Sequence, residues 1–356
     1  MPAIPSEMNP TTVAELQPDQ AVTLFLLVWD KEIRTGQQSG KPYLRLALGD
    51  RTGTIEARMW EGFEDSKDVA RDDFVKVQAR VEAYRGRNQL IIEKLRRAKE
   101  GEVQPDDFLP RTREDVEQLY TRLREFAAAI GNAWLKQLVS GVIEDPAIVP
   151  RLKRAPAAKS MHHAYLGGLL EHVVSLCELC RAVAGRYPEV DADLLLTGAI
   201  LHDIGKLEEL TYERAFDYST EGQLLGHILL EYEQVSKRAD AIAGFPRELK
   251  ALVQHLLVSH HGRYEFGSPK LPMFREAVLL HYLDDLDSKM AAMRRSLESP
   301  GDGEWSAWNA ALERKLLRTE RYLSGEESAA AGASAGAKTD GGGQGQLPLA
   351  PPGERK

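Results

Sequence analysis

Histidine is absent from residues 1–161 and again from 282–356, so all nine fall between His162 and His281. Cysteine is nearly absent too, with only Cys177 and Cys180. Two cysteines cannot build a disulfide framework, and a reducing cytoplasm is the expected location. The chain has no run of the roughly 18–20 apolar residues that a membrane-spanning helix needs. The opening MPAIPSEMNP lacks a basic segment followed by an apolar one, so no secretory signal is expected. Positive charge is not in excess: 46 Lys and Arg face 54 Asp and Glu, for a net charge of −8. A uniformly basic nucleic-acid coat is thereby excluded.

With 356 residues, 43% hydrophobic and 28% charged, the chain has the size and composition of two globular domains plus tails. Charge is uneven, however. Residues 20–100 hold 16 Lys and Arg against 13 Asp and Glu, which leaves that stretch basic and the remainder acidic.

Residues 20–98 show a period of two. Val22, Leu24, Leu26 and Val28 alternate with Thr23, Phe25, Leu27 and Trp29. Similar alternation runs through 43–48, 55–60 and 75–82, and a fifth run covers 88–95. Half-buried strands give this pattern, and turn residues at 36–42, 49–53 and 85–88 separate them. Residues 61–73 have room for a short helix. Five strands with a helix after the third predict an all-β barrel of the OB type over 20–100. If Leu44, Leu46 and Leu48 face inward, Tyr43 and Arg45 face outward, as do Arg58 and Trp60 on the third strand and Phe25 and Trp29 on the first. Aromatic faces with arginines beside them suit single-stranded bases and their phosphates. Arg85, Arg87, Lys94, Arg96 and Arg97 add a basic run. A wholly structural reading stays open, since aromatics also close barrel ends and strand charges are commonly just solvated.

Residues 101–110 (GEVQPDDFLP) read as a linker, followed by a helical segment to about 160. From there to about 322 the apolar period is 3.6, and an all-α domain is expected over 161–322. The tail, 323–356, is Ala, Gly, Ser, Gln and Pro, and is expected to be disordered.

Inside the helical region the polar residues cluster. His172 follows Glu171 among apolar residues. His202-Asp203 closes the run LLLTGAILHDIGK. His227 follows Gly226, His260-His261 follows Ser259, and Asp284 and Asp287 stand at i,i+3 on one helix face. Neutral imidazole is the commonest metal ligand, and a carboxylate has two oxygens with which Asp203 could bridge two cations. His255 and His281 read as structural. Cys177 and Cys180 read as core packing, since no second cysteine pair exists to complete a zinc site.

This pattern of a helical His, then His-Asp, then a distant Asp resembles the HD-domain metal-dependent phosphohydrolases. The run HDIGK is similar to their two-metal members. The resemblance implies one metal on His172, His202, Asp203 and Asp284, and a second on Asp203, His227, His260 and His261. Some relatives carry a Glu four residues before the first His; Gly168 stands there, and a third metal is not implied. A barrel ahead of such a domain, with EGQLLGHI, SHHG and DDLD, resembles the YhaM-type 3′–5′ exoribonucleases over roughly 20–320. This second resemblance implies a divalent-metal-dependent 3′–5′ exonuclease acting on single-stranded RNA or single-stranded DNA, in a chain that could form a homo-oligomer.

The chemistry fits that residue set. A phosphodiester is anionic, and two cations neutralise its oxygens and activate water. Imidazole and carboxylate together suit Mn, Fe or Zn, and Mg less exclusively. Asp203 and Lys206 are the catalytic candidates, Lys206 as a point charge on a phosphate oxygen one turn past Asp203. Tyr43, Arg45, Arg58 and Trp60 are the substrate-binding candidates on the barrel. His163 is a candidate at the substrate phosphate, and an ordinary polar site is the competing reading for it and for His162. Two rival functions stand beside this one: an HD-domain nucleotide or cyclic-dinucleotide phosphohydrolase, and a non-catalytic nucleic-acid-binding protein with a structural metal.

Overall fold

The structure, a computed structural model, describes residues 11–36, 40–84, 86–159, 163–298, 303–309 and 312–324. Arg85, His162 and, beyond Ser324, the expected disordered tail lie outside the described residues.

Strands β1 (Ala21–Thr35), β2 (Pro42–Asp50), β3 (Gly53–Met59), β4 (Phe74–Tyr84) and β5 (Arg87–Arg97) close a barrel in the order β1-β2-β3-β5-β4. The pairing of β3 with β5 is parallel and all others are antiparallel. The inward set is the alternating one: Leu24, Leu26, Val28, Leu44, Leu46, Leu48, Ile55, Ala57, Val75, Val77 and Leu90 are buried together. Between β3 and β4 the expected short helix is only a 3₁₀ turn, Phe63–Ser66. The turn starts at Gly62 in the left-handed region, and Lys31 Nζ donates to the Ser66 carbonyl at 3.0 Å.

Helices α1 (Val116–Ala129), α2 (Ala133–Ile143), α3 (Val149–Leu152), α4 (Gly168–Ala184), α5 (Ala192–Leu201), α6 (Lys206–Glu209), α7 (Thr220–Ala241), α8 (Arg247–Ser259) and α9 (Arg275–Glu298) come next along the chain. A two-stranded ribbon, Leu210–Thr211 with Asp217–Tyr218, lies between α6 and α7. Helix α5 is the axis of the domain. It is apolar all round, and every residue from Leu194 to Leu201 is buried, as a helix enclosed by others requires. Asp191 caps its start by accepting from the Leu194 amide, and its far end delivers His202 and Asp203 to the interior.

Two expectations need correction. The segment 101–110 is not a free connector: Phe108 and Leu109 are buried in the helical core, and the Phe108 ring lies 4.9 Å from Phe74 of β4. Phe25 and Trp29 do face out of the barrel, yet not toward solvent. Phe25 and Leu27 are buried in the helical core and Trp29 packs against it. The outer side of β1 is thus spent on holding the barrel to the helices.

The chain divides at Arg295, with Ser296–Lys356 as a second unit. Helix α9 runs to Glu298, and the expected bound of the helical domain at 322 falls within this second unit. Within the second unit, Trp305 pairs with Leu317 and Asn309 with Arg314, ahead of a short helix α10 (Thr319–Ser324). Among the described residues no helix is long and apolar enough to cross a membrane.

Candidate metal centre

Four helices and the turn after α5 bring the predicted ligands together. His172 comes from α4, His202 and Asp203 from the end of α5, His227 from α7, His260 and His261 from the end of α8, and Asp284 from α9. His172 Nε2 lies 3.3 Å from His202 Nε2, 3.3 Å from Asp284 Oδ1 and 3.7 Å from Asp203 Oδ2. Asp203 Oδ2 is also 3.3 Å from His202 Nε2. The other oxygen, Asp203 Oδ1, lies 3.7 Å from His227 Nε2 and 4.0 Å from His260 Nε2. His227, His260 and His261 each offer a nitrogen within 4.8 Å of the others. The two oxygens of one buried carboxylate therefore face two separate sets of imidazoles.

The orientation of the rings is fixed from behind. His202 Nδ1 donates to the Ala199 carbonyl (3.0 Å), His260 Nδ1 to Leu257 (2.7 Å) and His261 Nδ1 to Phe266 (2.8 Å). A carbonyl can only accept, so each Nδ1 carries the hydrogen and each Nε2 keeps its lone pair for the centre. Carboxylates do the same for the other two: Asp287 Oδ2 lies 2.7 Å from His172 Nδ1, and Glu209 Oε1 lies 3.1 Å from His227 Nδ1. Outer partners of this kind raise ligand basicity and orient the ring, and losing one typically costs about 10–100-fold in metal affinity.

Local backbone geometry makes this packing feasible. Gly226, with φ 71, breaks α7 and lets the His227 amide donate to Glu209 Oε1 at 3.0 Å. Only glycine enters that region at little cost. At Gly205 the turn after α5 presses on α7 so closely that a Cβ would lie 2.2 Å from the His227 carbonyl oxygen.

The donor set of imidazoles and carboxylates fits divalent-cation binding. His227 Nε2 and His260 Nε2 are buried and have no hydrogen-bond partner among the described residues. An unpaired buried polar atom costs about 1–3 kcal/mol, which a cation at that point removes. Burial, then the neighbouring His261 and His202, hold His260 well below the usual imidazole range, so it stays a neutral ligand. For His172 burial opposes charging, but Asp284 and Asp287 outweigh it and raise the ring to about 10. Burial also opposes ionisation of Asp203, and the adjacent Lys206 and His202 reverse that, holding it well below the carboxylate range.

Lys206 is buried, with Nζ 2.7 Å from Asp203 Oδ2. It stands at the shared carboxylate rather than out in the cleft. His163 is buried as well, with a left-handed φ of 45. Its Nδ1 lies 2.8 Å from the Tyr165 hydroxyl, which donates to Glu171 at 2.8 Å, and its Nε2 lies 3.3 Å from Asp287. That places His163 behind His172, on the side away from the ligand-bearing nitrogen. Asp285 points outward to Lys289, while Asp287 also accepts from Ser175 Oγ at 2.5 Å. His255 accepts from the Met273 amide, His281 Nδ1 lies 3.0 Å from the His260 carbonyl, and both cysteines are buried in the core. Sequence reading missed Glu209 and the Tyr165–Glu171 pair. An acid in a four-residue helix and a tyrosine in the irregular stretch before α4 carry no periodic signal.

On the barrel, Tyr43 and Trp60 come together with ring centroids 4.6 Å apart. Their arginines are engaged. Arg45 pairs with Asp30, Glu32 and Glu56 at 3.4–3.5 Å, and Arg58 pairs with Glu56 at 2.7 Å and lies over Tyr84. Arg96 and Arg97 pair with Glu102 and Asp73. The aromatic half of the expected surface is therefore present, while Arg45, Arg58, Arg96 and Arg97 are paired with neighbouring acids.

Comparison with known proteins bears on both regions. The HD domain family matches residues 169–289, and the OB-fold nucleic acid binding domain matches residues 27–98. Over 299 residues the chain is 38% identical to the 3′-5′ exoribonuclease YhaM of Geobacillus sp. (strain WCH70), covering 83% of this chain and 91% of that one. The proteins of the same name from Bacillus velezensis and Bacillus subtilis are 39% and 38% identical over 279 residues, covering 78% of this chain and 88% of each.

Proposed function

The chain belongs to the YhaM family of 3′–5′ exoribonucleases, and from that premise we propose that it removes nucleotides from the 3′ end of single-stranded RNA with two divalent cations. The observation that carries the proposal is the placement of Asp203 between two imidazole sets. His172, His202, Asp203 and Asp284 would hold one ion, and Asp203, His227, His260 and His261 the other. When bound, the ions would neutralise the phosphodiester oxygens and acidify the attacking water.

The residues of the chain have separable tasks. Asp287 and Glu209 fix His172 and His227, and the backbone carbonyls fix His202, His260 and His261. Lys206, on the Asp203 carboxylate, keeps it ionised. No side chain is needed as a separate base. Mixed imidazole and carboxylate donors favour Mn or a neighbouring transition ion over Mg. The Tyr43–Trp60 pair would hold upstream bases by stacking, and that contact is compatible with DNA as well as RNA.

Incubation of 3′- and 5′-labelled single strands tests the proposal. With Mn, a 3′ label is expected to leave at once as mononucleotide and a 5′ label to shorten stepwise. With chelator both strands should stay intact. Internal cleavage, or full activity in chelator, would contradict the reading.

A further inference from the structure

The ligands differ in burial, and the difference locates the mouth of the centre. His172, His202, Asp203, His227 and His260 are buried, whereas His261 and Asp284 are partly open. Substrate must therefore approach past these two residues. Two residues past His261, after Gly262 and Arg263, the chain forms the 3₁₀ turn Tyr264–Phe266.

That turn is built into the site. The Phe266 carbonyl accepts from His261 Nδ1, so the backbone of Phe266 adjoins a predicted ligand. The Phe266 and Ser268 amides donate to the Arg263 carbonyl, the Gly267 amide donates to Tyr264, and Ser268 Oγ donates to Val258 at 3.1 Å. These bonds make the turn a fixed shelf. On it Tyr264 and Phe266 remain 59% and 56% exposed, and the Arg263 guanidinium lies 5.7 Å from the Phe266 ring centroid. Exposed rings are usually scattered singly and need no explanation. Here two rings and a guanidinium share one rigid turn at the mouth of a phosphodiester site. The Phe266 carbonyl bond ties the turn to His261, so a base flanking a phosphate held past His261 would meet it.

We propose that Tyr264 and Phe266, with Arg263, form a stacking shelf for a nucleobase flanking the scissile phosphate. The shelf would bind through the π-face of the base and so accept any of the four, which suits an enzyme that passes along a strand. This inference rests on the exonuclease reading above.

Abasic substitution tests it. RNA strands would carry a base-free ribose at the 3′-terminal or the penultimate position, and kcat/KM in Mn would be compared with the fully based strand. In the wild type one of the two abasic strands is expected to react roughly 5- to 150-fold more slowly, the value of one stacked base. In the Tyr264→Ala/Phe266→Ala variant the based strand should slow by the same factor, chiefly through KM, and the based-to-abasic ratio should fall to about one. A ratio that survives in the variant, or is absent at both positions in the wild type, would overturn the shelf alone. A wild-type protein that leaves the fully based strand intact in Mn would overturn the exonuclease reading and the shelf with it.

Discussion

Replacement of Asp203 by asparagine is expected to lower RNA turnover by at least about a thousandfold while the protein remains folded. Removing a single preorganised contact to a transition state commonly costs about 10²–10³ in rate. Asp203 serves two sets at once, with Oδ2 toward His172 and His202 and Oδ1 toward His227 and His260. An amide supplies one neutral oxygen and turns an NH₂ toward the other set, so neither pocket keeps its charge and one loses its acceptor. The alanine variant should differ in stability. It strands Lys206, which is buried against Asp203, and an uncompensated buried charge costs about 3–5 kcal/mol. Two measurements check this: turnover of labelled RNA, and thermal melting with and without Mn. Mn should raise the melting temperature of the wild type and leave both variants unmoved, because a ligand stabilises only the state that binds it. Asparagine turnover within tenfold of wild type would contradict the bridging role.

The second large effect is structural. Gly205→Ala is expected to destabilise the helical domain by about 3 kcal/mol or more, at the upper end of overpacking changes. For a domain of this size that lowers the melting temperature by about 6–12 °C. The added Cβ would lie 2.2 Å from the His227 carbonyl oxygen and 2.8 Å from the Glu231 amide nitrogen. Both are backbone atoms of α7, so no side chain can swing away. The relief available is to push α7 off α6, which carries His227 away from Asp203 and should weaken cation binding as well. Melting in chelator within about 2 °C of wild type would show that the contact is softer than this geometry implies.

The sequence makes these relations legible unevenly, and for physical reasons. The five strands and their inward residues could be read because side chains alternate strictly across a strand, and a slip of one residue would turn the whole set outward. The candidate ligands could be picked out because few residue types hold a cation, and they recur along otherwise apolar helices that the fold brings together. Period two says which residues leave the barrel interior; it does not say what waits outside. Phe25 and Tyr43 look alike in sequence, yet one is buried in the helical core and the other stacks on Trp60. The same limit hid Glu209, whose part depends on the break at Gly226 turning His227 toward it.

The most direct test of the paired centre is anomalous X-ray diffraction from crystals grown with Mn. Two peaks are expected, one among His172, His202 and Asp284, the other among His227, His260 and His261, with Asp203 between them. A single peak, or peaks away from Asp203, would contradict the assignment of a carboxylate shared by two ions.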